Sequence, residues 1–227
     1  MKMNSDSLFA TLKAQRREAA AESVFQAAEE VIVFKGLEGA TMQEIARRAG
    51  CAAGTLYLYF RNKEELLNLL IDRHMQRLET VFRKAIGGTE DGLERLRSGI
   101  AVSLEYCHAH QLVLRVFFSS LTGSADVESH LKGAAREAYS RMKQLDIESM
   151  RRAQRDRQVR SDIPAEELVE LMYGLYNAAV TRWCLRGPAP DIATQMKLVW
   201  GFLAGGLGIA EGCGQAQAGS APRTAEG

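Results

Sequence analysis

Residues 41–70 read TMQEIARRAGCAAGTLYLYFRNKEELLNLL. Thr41 precedes Glu44 by three positions, the spacing of a capping box. There the hydroxyl accepts the backbone N–H of residue 44 and the Glu44 carboxylate reaches back. Met42, Ile45, Ala46 and Ala49 recur at i, i+3, i+4 and i+7, the stripe of an amphipathic helix, and Arg47 and Arg48 point away from it. Gly50 closes that helix, because glycine accepts the positive φ of a tight turn. A second short helix starts near Ala52 or Ala53. With Leu56 at its buried centre, Ala53 and Phe60 share the inner face. Gly54 and Leu58, flanked by Thr55 and Tyr57, face outward, since each residue advances about 100°. Asn62, with Glu65 three positions on, opens a longer helix and puts Lys63 in its first turn. This order of short helix, glycine turn, short helix and long helix is the layout of a helix-turn-helix DNA reader, whose second helix enters a major groove.

Charge narrows how such a head could hold DNA. A helix N-terminus and an adjacent ammonium both suit a phosphate oxygen, which makes the helix start at Lys63 a candidate anchor. Residues 45–63 hold four basic side chains and no acidic one, yet residues 1–65 hold nine Lys+Arg against nine Asp+Glu. Contact with DNA therefore rests on local charge placement and not on a general basic field.

Ala49, Gly50, Gly54, Thr55, Leu56, Tyr57, Tyr59, Phe60, Lys63, Glu64, Leu66 and Leu67 form the pattern AGxxxGTLYxYFxxKExLL. It resembles the TetR family of bacterial transcriptional regulators. Residues 41–46 and a helix over 22–34, closed by Gly36, resemble that family's first two helices, and the specific likeness covers residues 18–70. The resemblance implies an all-α protein with a three-helix DNA-binding head and a larger helical body for ligand binding and dimerisation. It implies base and phosphate contacts from the outer face of the third helix, here Ala53, Gly54, Thr55, Tyr57, Leu58 and Tyr59. It implies phosphate anchors at Thr41, which starts the second helix, and at Lys63, which opens the fourth; Arg48 joins the DNA-facing set. Two departures stand out. Cys51-Ala52 replaces the family's frequent valine-serine, which removes a side-chain N-cap at a cost of about 1 kcal/mol. Ala53 is short where the family often has a long polar residue, so this helix offers few base-reading hydrogen bonds.

The chain divides on this reading into a flexible arm (1–16), the head (17–65), the body (66–212) and a polar, disordered tail (213–227). Helices are expected over 63–86, 92–108, 126–157, 165–185 and 191–210, with a strongly apolar segment at 112–121. Among the 227 residues no run of 18 apolar residues occurs, so no membrane span is expected. The first 20 residues lack the apolar core of a secretory signal. The four cysteines form no CxxC pair, which suits a reducing cytoplasm.

The last two helices are apolar all round and need cover on more than one side. A two-fold, four-helix bundle is expected from Leu175, Ala179 and Trp183 on one and Met196, Val199, Trp200, Leu203 and Leu207 on the other. Between head and bundle, Tyr106, His110, Phe117, Phe118, Tyr139, Met142, Met172, Tyr173 and Tyr176 are the candidate lining of a ligand chamber. Aromatic and thioether side chains with few charges favour an apolar or amphipathic effector. Cys107 and His110 share a helix face without a third ligand, so no metal site is read, and no cofactor. The run 151–160 holds five arginines and one aspartate and is read as a solvated helix end. Without a nucleophile–base pair or a phosphate loop, no catalytic residues are assigned. The expectation is a homodimeric, non-enzymatic repressor that leaves a roughly palindromic double-stranded operator when a small ligand binds. A helical carrier that never touches DNA, or a regulator that activates, is the rival.

Overall fold

The computed structural model describes residues 5–111, 113–115, 127–186 and 191–209. Every regular element among them is helical: α1 (Ser5–Gly39), α2 (Met42–Arg48), α3 (Ala53–Tyr57), α4 (Lys63–Ile86), α5 (Gly92–Ala109), α6 (Val127–His130), α7 (Gly133–Arg155), α8 (Ala165–Arg186) and α9 (Ile192–Leu207). Gly36 interrupts α1 with φ 73 and ψ 176, where the sequence places the end of the first helix.

Residues 5–16, expected as a flexible arm, are instead helical and continuous with α1. Their Leu, Ala, Lys, Gln and Arg are strong helix formers. The single helix expected over 126–157 is also corrected. Lys132 is extended (φ −126, ψ 166) and Gly133 takes φ 50, so α6 and α7 are separate. Lys132 makes no side-chain cap; Asp72 of α4 accepts the Ala135 N–H at 2.8 Å in its place. That contact crosses the molecule and left no local signal. The tail at 213–227 and the candidates Phe117 and Phe118 lie outside the described residues.

Two larger cores organise the rest. In the head, Val24, Ala28, Val31 and Ile32 of α1 enclose Met42, Ile45, Leu56 and Phe60, with Phe25 edge-on to Phe60 at 5.8 Å. In the body, α5, α7, α8 and α9 surround Leu96, Leu104, Met150, Val169, Met172 and Val180. The fourth helix belongs to both. Leu66 and Leu70 complete the head core and Ile71 enters the body core, so the expected boundary at 65/66 falls inside one rigid rod. Close approach at the far end depends on Gly92, where an added Cβ would come within 2.5 Å of Ala153 N and Ser149 O.

The expected two-fold interface needs the clearest correction. Ala179, Trp183, Val199, Leu203 and Leu207 are buried within the subunit, and Leu175, Met196 and Trp200 pack partly against the same core. Among the described residues, the exposed large apolar side chains on these helices are Leu171, Leu198 and Phe202, exposed by 67, 57 and 72 %. Both helices are apolar all round, so periodicity could not tell the inner stripe from the outer one.

Candidate nucleic-acid interface and ligand chamber

The head is assembled by its caps. Thr41 Oγ1 accepts from Glu44 N at 3.2 Å and Asn62 Oδ1 from Glu65 N at 2.8 Å. The reciprocal half of each box goes elsewhere. Glu65 Oε2 accepts the Arg61 N–H at 2.6 Å, one residue ahead of the cap. Glu44 instead accepts from Arg47 at 2.6 Å and Lys35 at 2.9 Å, and these cations hold its carboxyl down at about 2. The turn between α2 and α3 is a Schellman motif. Cys51 N donates to Ala46 O at 2.9 Å and Gly50 N to Arg47 O at 3.3 Å, with Gly50 at φ 72, a conformation glycine accepts without strain. Ala52 caps α3 with no side-chain hydrogen bond, as its composition requires.

This frame turns α3 outward. Leu56 is fully buried and Phe60 nearly so, while Tyr57 and Tyr59 are each 46 % exposed and Leu58 84 %. Gly54 and Thr55 are exposed, Thr41 and Arg48 with them, and Ala53 is half-buried. An added Cβ on Gly54 would meet nothing within 4 Å, so a ligand's backbone can approach closely there. The two expected cations are engaged within the protein. Arg48 pairs with Glu30 of α1, and Lys63 Nζ donates to Leu37 O at 2.8 Å, tying α4 to the end of α1. An ammonium has three donors, so that bond leaves Lys63 two for a phosphate.

The chamber lies in the body among α4, α5, α7 and α8. Tyr106, Tyr139, Met142, Met172, Tyr173 and Tyr176 line it around about 70 Å³ of open space. His110 is not on the wall; its ring packs on Tyr106 at 4.4 Å and His74 at 5.0 Å. Burial pushes the phenols of Tyr106 and Tyr139 up to about 12, so both remain protonated donors. Tyr176 donates to Ser103 O at 3.2 Å and lies 3.1 Å from Cys107 Sγ; burial raises that thiol to about 11. Cys107 is therefore an inert wall residue.

Sequence reasoning missed His74, Ser103, Asp146 and Asn177 among the chamber's polar members. A signal was present. Asp146 falls on the stripe Tyr139, Met142, Met150 and Ala153 of α7, and His74 on the stripe Leu70, Ile71 and Leu78 of α4, where apolar residues otherwise repeat. His74 is fully buried. Its Nδ1 lies 3.0 Å from the Tyr106 hydroxyl, and its Nε2 lies 3.4 Å from Glu29 Oε1 of α1. Burial opposes the charge on Glu29, but His74, Arg77 and His110 outweigh it and hold the carboxyl below its usual range. Arg73 and Arg77 of α4 also pair with Glu22 of α1. One wall of the chamber is thus bonded to the head. The arginine run at 151–160 is engaged too, through Arg151 to Glu166, Arg152 to Glu90 and Arg160 to Asp162.

Residues 24–70 match the family described as bacterial regulatory proteins, tetR family. A transcriptional activator, FasR of Mycolicibacterium smegmatis, is 34 % identical over 94 residues, covering 41 % of this chain and 43 % of that relative. The chain thus spans less than half the length of this curated relative. Two solved structures share the fold. FadR of Bacillus halodurans, a fatty acid degradation regulator, has TM-score 0.66 and 24 % identity over 82 % of this chain and 98 % of that one. FadR of Bacillus subtilis, in complex with stearoyl-CoA, has TM-score 0.67 and 20 % identity over 82 and 98 %.

Proposed function

We propose that the chain, whose residues 24–70 match the bacterial regulatory proteins of the tetR family, is a ligand-released repressor acting in the cytoplasm. The observation that carries the DNA-binding reading is the outward face of α3. Tyr57, Leu58 and Tyr59 stay exposed although their neighbours Leu56 and Phe60 are buried. A small core would cover such side chains if they served only packing. Thr41 and the α4 N-terminus flank that face and suit phosphate oxygens.

Two subunits are needed for one operator. The exposed stripes Leu171, Gly174 and Ala178 of α8 and Leu198, Gly201, Phe202 and Gly205 of α9 are the proposed two-fold contact. Small residues let helices approach, and a symmetric partner would cover the apolar ones. Two linked heads then bind one duplex with raised effective concentration.

Release follows from the size of the chamber. Its open space of about 70 Å³ is below the roughly 300 Å³ of ordinary ligand pockets, so an effector must move the walls. Because α4 is both wall and head support, that movement shifts the heads. The ligand changes DNA affinity by its preference for the altered arrangement and no more. The likeness to FadR of Bacillus subtilis, which holds stearoyl-CoA, supports an effector with a large apolar part. Selection of duplexes from a random pool tests the reading. A two-fold symmetric motif is expected, and enrichment of no motif contradicts it.

A further inference from the structure

Outside the chamber, α5 and α9 leave a groove of about 280 Å³ that opens to the surface of the body. Its floor is apolar: Ile100 and Leu104 of α5 are buried, and Met196 and Trp200 of α9 are half-buried. Its rim carries Arg97 of α5 and Lys197 of α9, both exposed, and no carboxylate lines it. Other cations of the body meet carboxylates, Arg83 and Arg141 at Glu79, Lys143 at Glu128 and Arg152 at Glu90. Among the described residues, neither Arg97 nor Lys197 has an ion pair or a hydrogen bond. Arg97 instead lies over the Trp200 ring, 5.9 Å from its centroid. A guanidinium held on an indole face keeps its donors directed outward in its own plane, free for an anion. Trp200 stands about 200° around α9 from Leu198 and from Phe202, so the proposed two-fold contact uses the opposite side of that helix.

We propose that this groove is a second small-molecule site and that it takes an aromatic anion, a flat ring system bearing a sulfonate, carboxylate or phosphate. Its volume of about 280 Å³ is close to the roughly 300 Å³ at which ordinary ligand pockets begin. A flat ring covers the accessible parts of Trp200 and Met196 and removes apolar area from water. The anionic group then answers both cations through charge-assisted hydrogen bonds. A neutral ring gains only the first contribution, and a cationic one meets two like charges. The site is independent of the chamber, whose lining holds no lysine or arginine.

The test is fluorescence titration of the full-length protein with 1-anilinonaphthalene-8-sulfonate and with N-phenyl-1-naphthylamine, which has the same rings without the sulfonate. The comparison is between wild type and the double variant Arg97→Gln, Lys197→Gln, shown folded by its thermal melt. The variant is expected to bind the sulfonate about tenfold more weakly, the sum of two partly exposed ion pairs at low ionic strength. Its affinity for the neutral dye should stay at the wild-type value. Unchanged sulfonate affinity in the folded variant overturns the proposal and leaves the chamber reading standing. An equal loss for both dyes also overturns it, because the cations would then act only on the shape of the groove. Failure of wild type to bind the sulfonate overturns it without any variant.

Discussion

Asp146 occupies a position where the stripe of α7 otherwise carries apolar side chains, and its chemistry shows how a single residue couples stability to solvent. An aspartate in unfolded chain ionises near its ordinary value of 3.8, whereas burial pushes the folded carboxyl up to about 7. Between those values the native state binds the extra proton, so stability falls as pH rises through the window and is fullest below it. The effect is on the order of a few kcal/mol at most. Wild-type protein should therefore lose thermal stability relative to Asp146→Asn between pH 4 and 8, read as the difference in Tm. A difference that stays flat across that range contradicts the assignment. Residue-scale legibility was uneven for a physical reason. Thr41, Gly50 and Asn62 act on backbone within a few positions of themselves, and their roles could be read from spacing. Glu30, Leu37 and Glu29 meet Arg48, Lys63 and His74 only after folding, and no local pattern announces such partners.

Among the elements, α2, α3 and α4 follow their sequence signals closely because caps and a glycine turn define their ends. The break between α6 and α7 depends on Asp72 reaching across from α4, and it was invisible for that reason. The faces of α8 and α9 were legible as apolar but not as inner or outer. Leu203 is 7 % exposed and Phe202 72 %, one position apart on the same helix. Phe202→Glu is thus expected to give a monomer in sedimentation while the Tm of the subunit changes little. Leu203→Glu should unfold the subunit, since burial of an unpaired charge is costly. A dimer that survives Phe202→Glu places the two-fold contact elsewhere.

At the scale of the whole molecule, one rod links two cores. Residues of α4 fill the head core at Leu66 and Leu70, line the chamber at His74 and Leu78, and bond α1 through Arg73, His74 and Arg77. An all-helical head and body could be expected from the sequence, and so could a boundary inside the helix over 63–86; which residues of that helix face which core could not, because periodicity does not say which core a stripe faces. On the proposed function, the same geometry would make α3 the reading edge and let the chamber act on it through α4. The most direct test is the affinity of wild type and Tyr57→Ala for the selected duplex, by fluorescence anisotropy across a salt series, with sedimentation on the same samples. Wild-type affinity should fall steeply with salt as counterions are released. Tyr57→Ala should bind about tenfold more weakly, or about 1.4 kcal/mol, with its dimer intact. Undiminished binding by that variant, or wild-type affinity indifferent to salt, would contradict an α3 face seated on DNA.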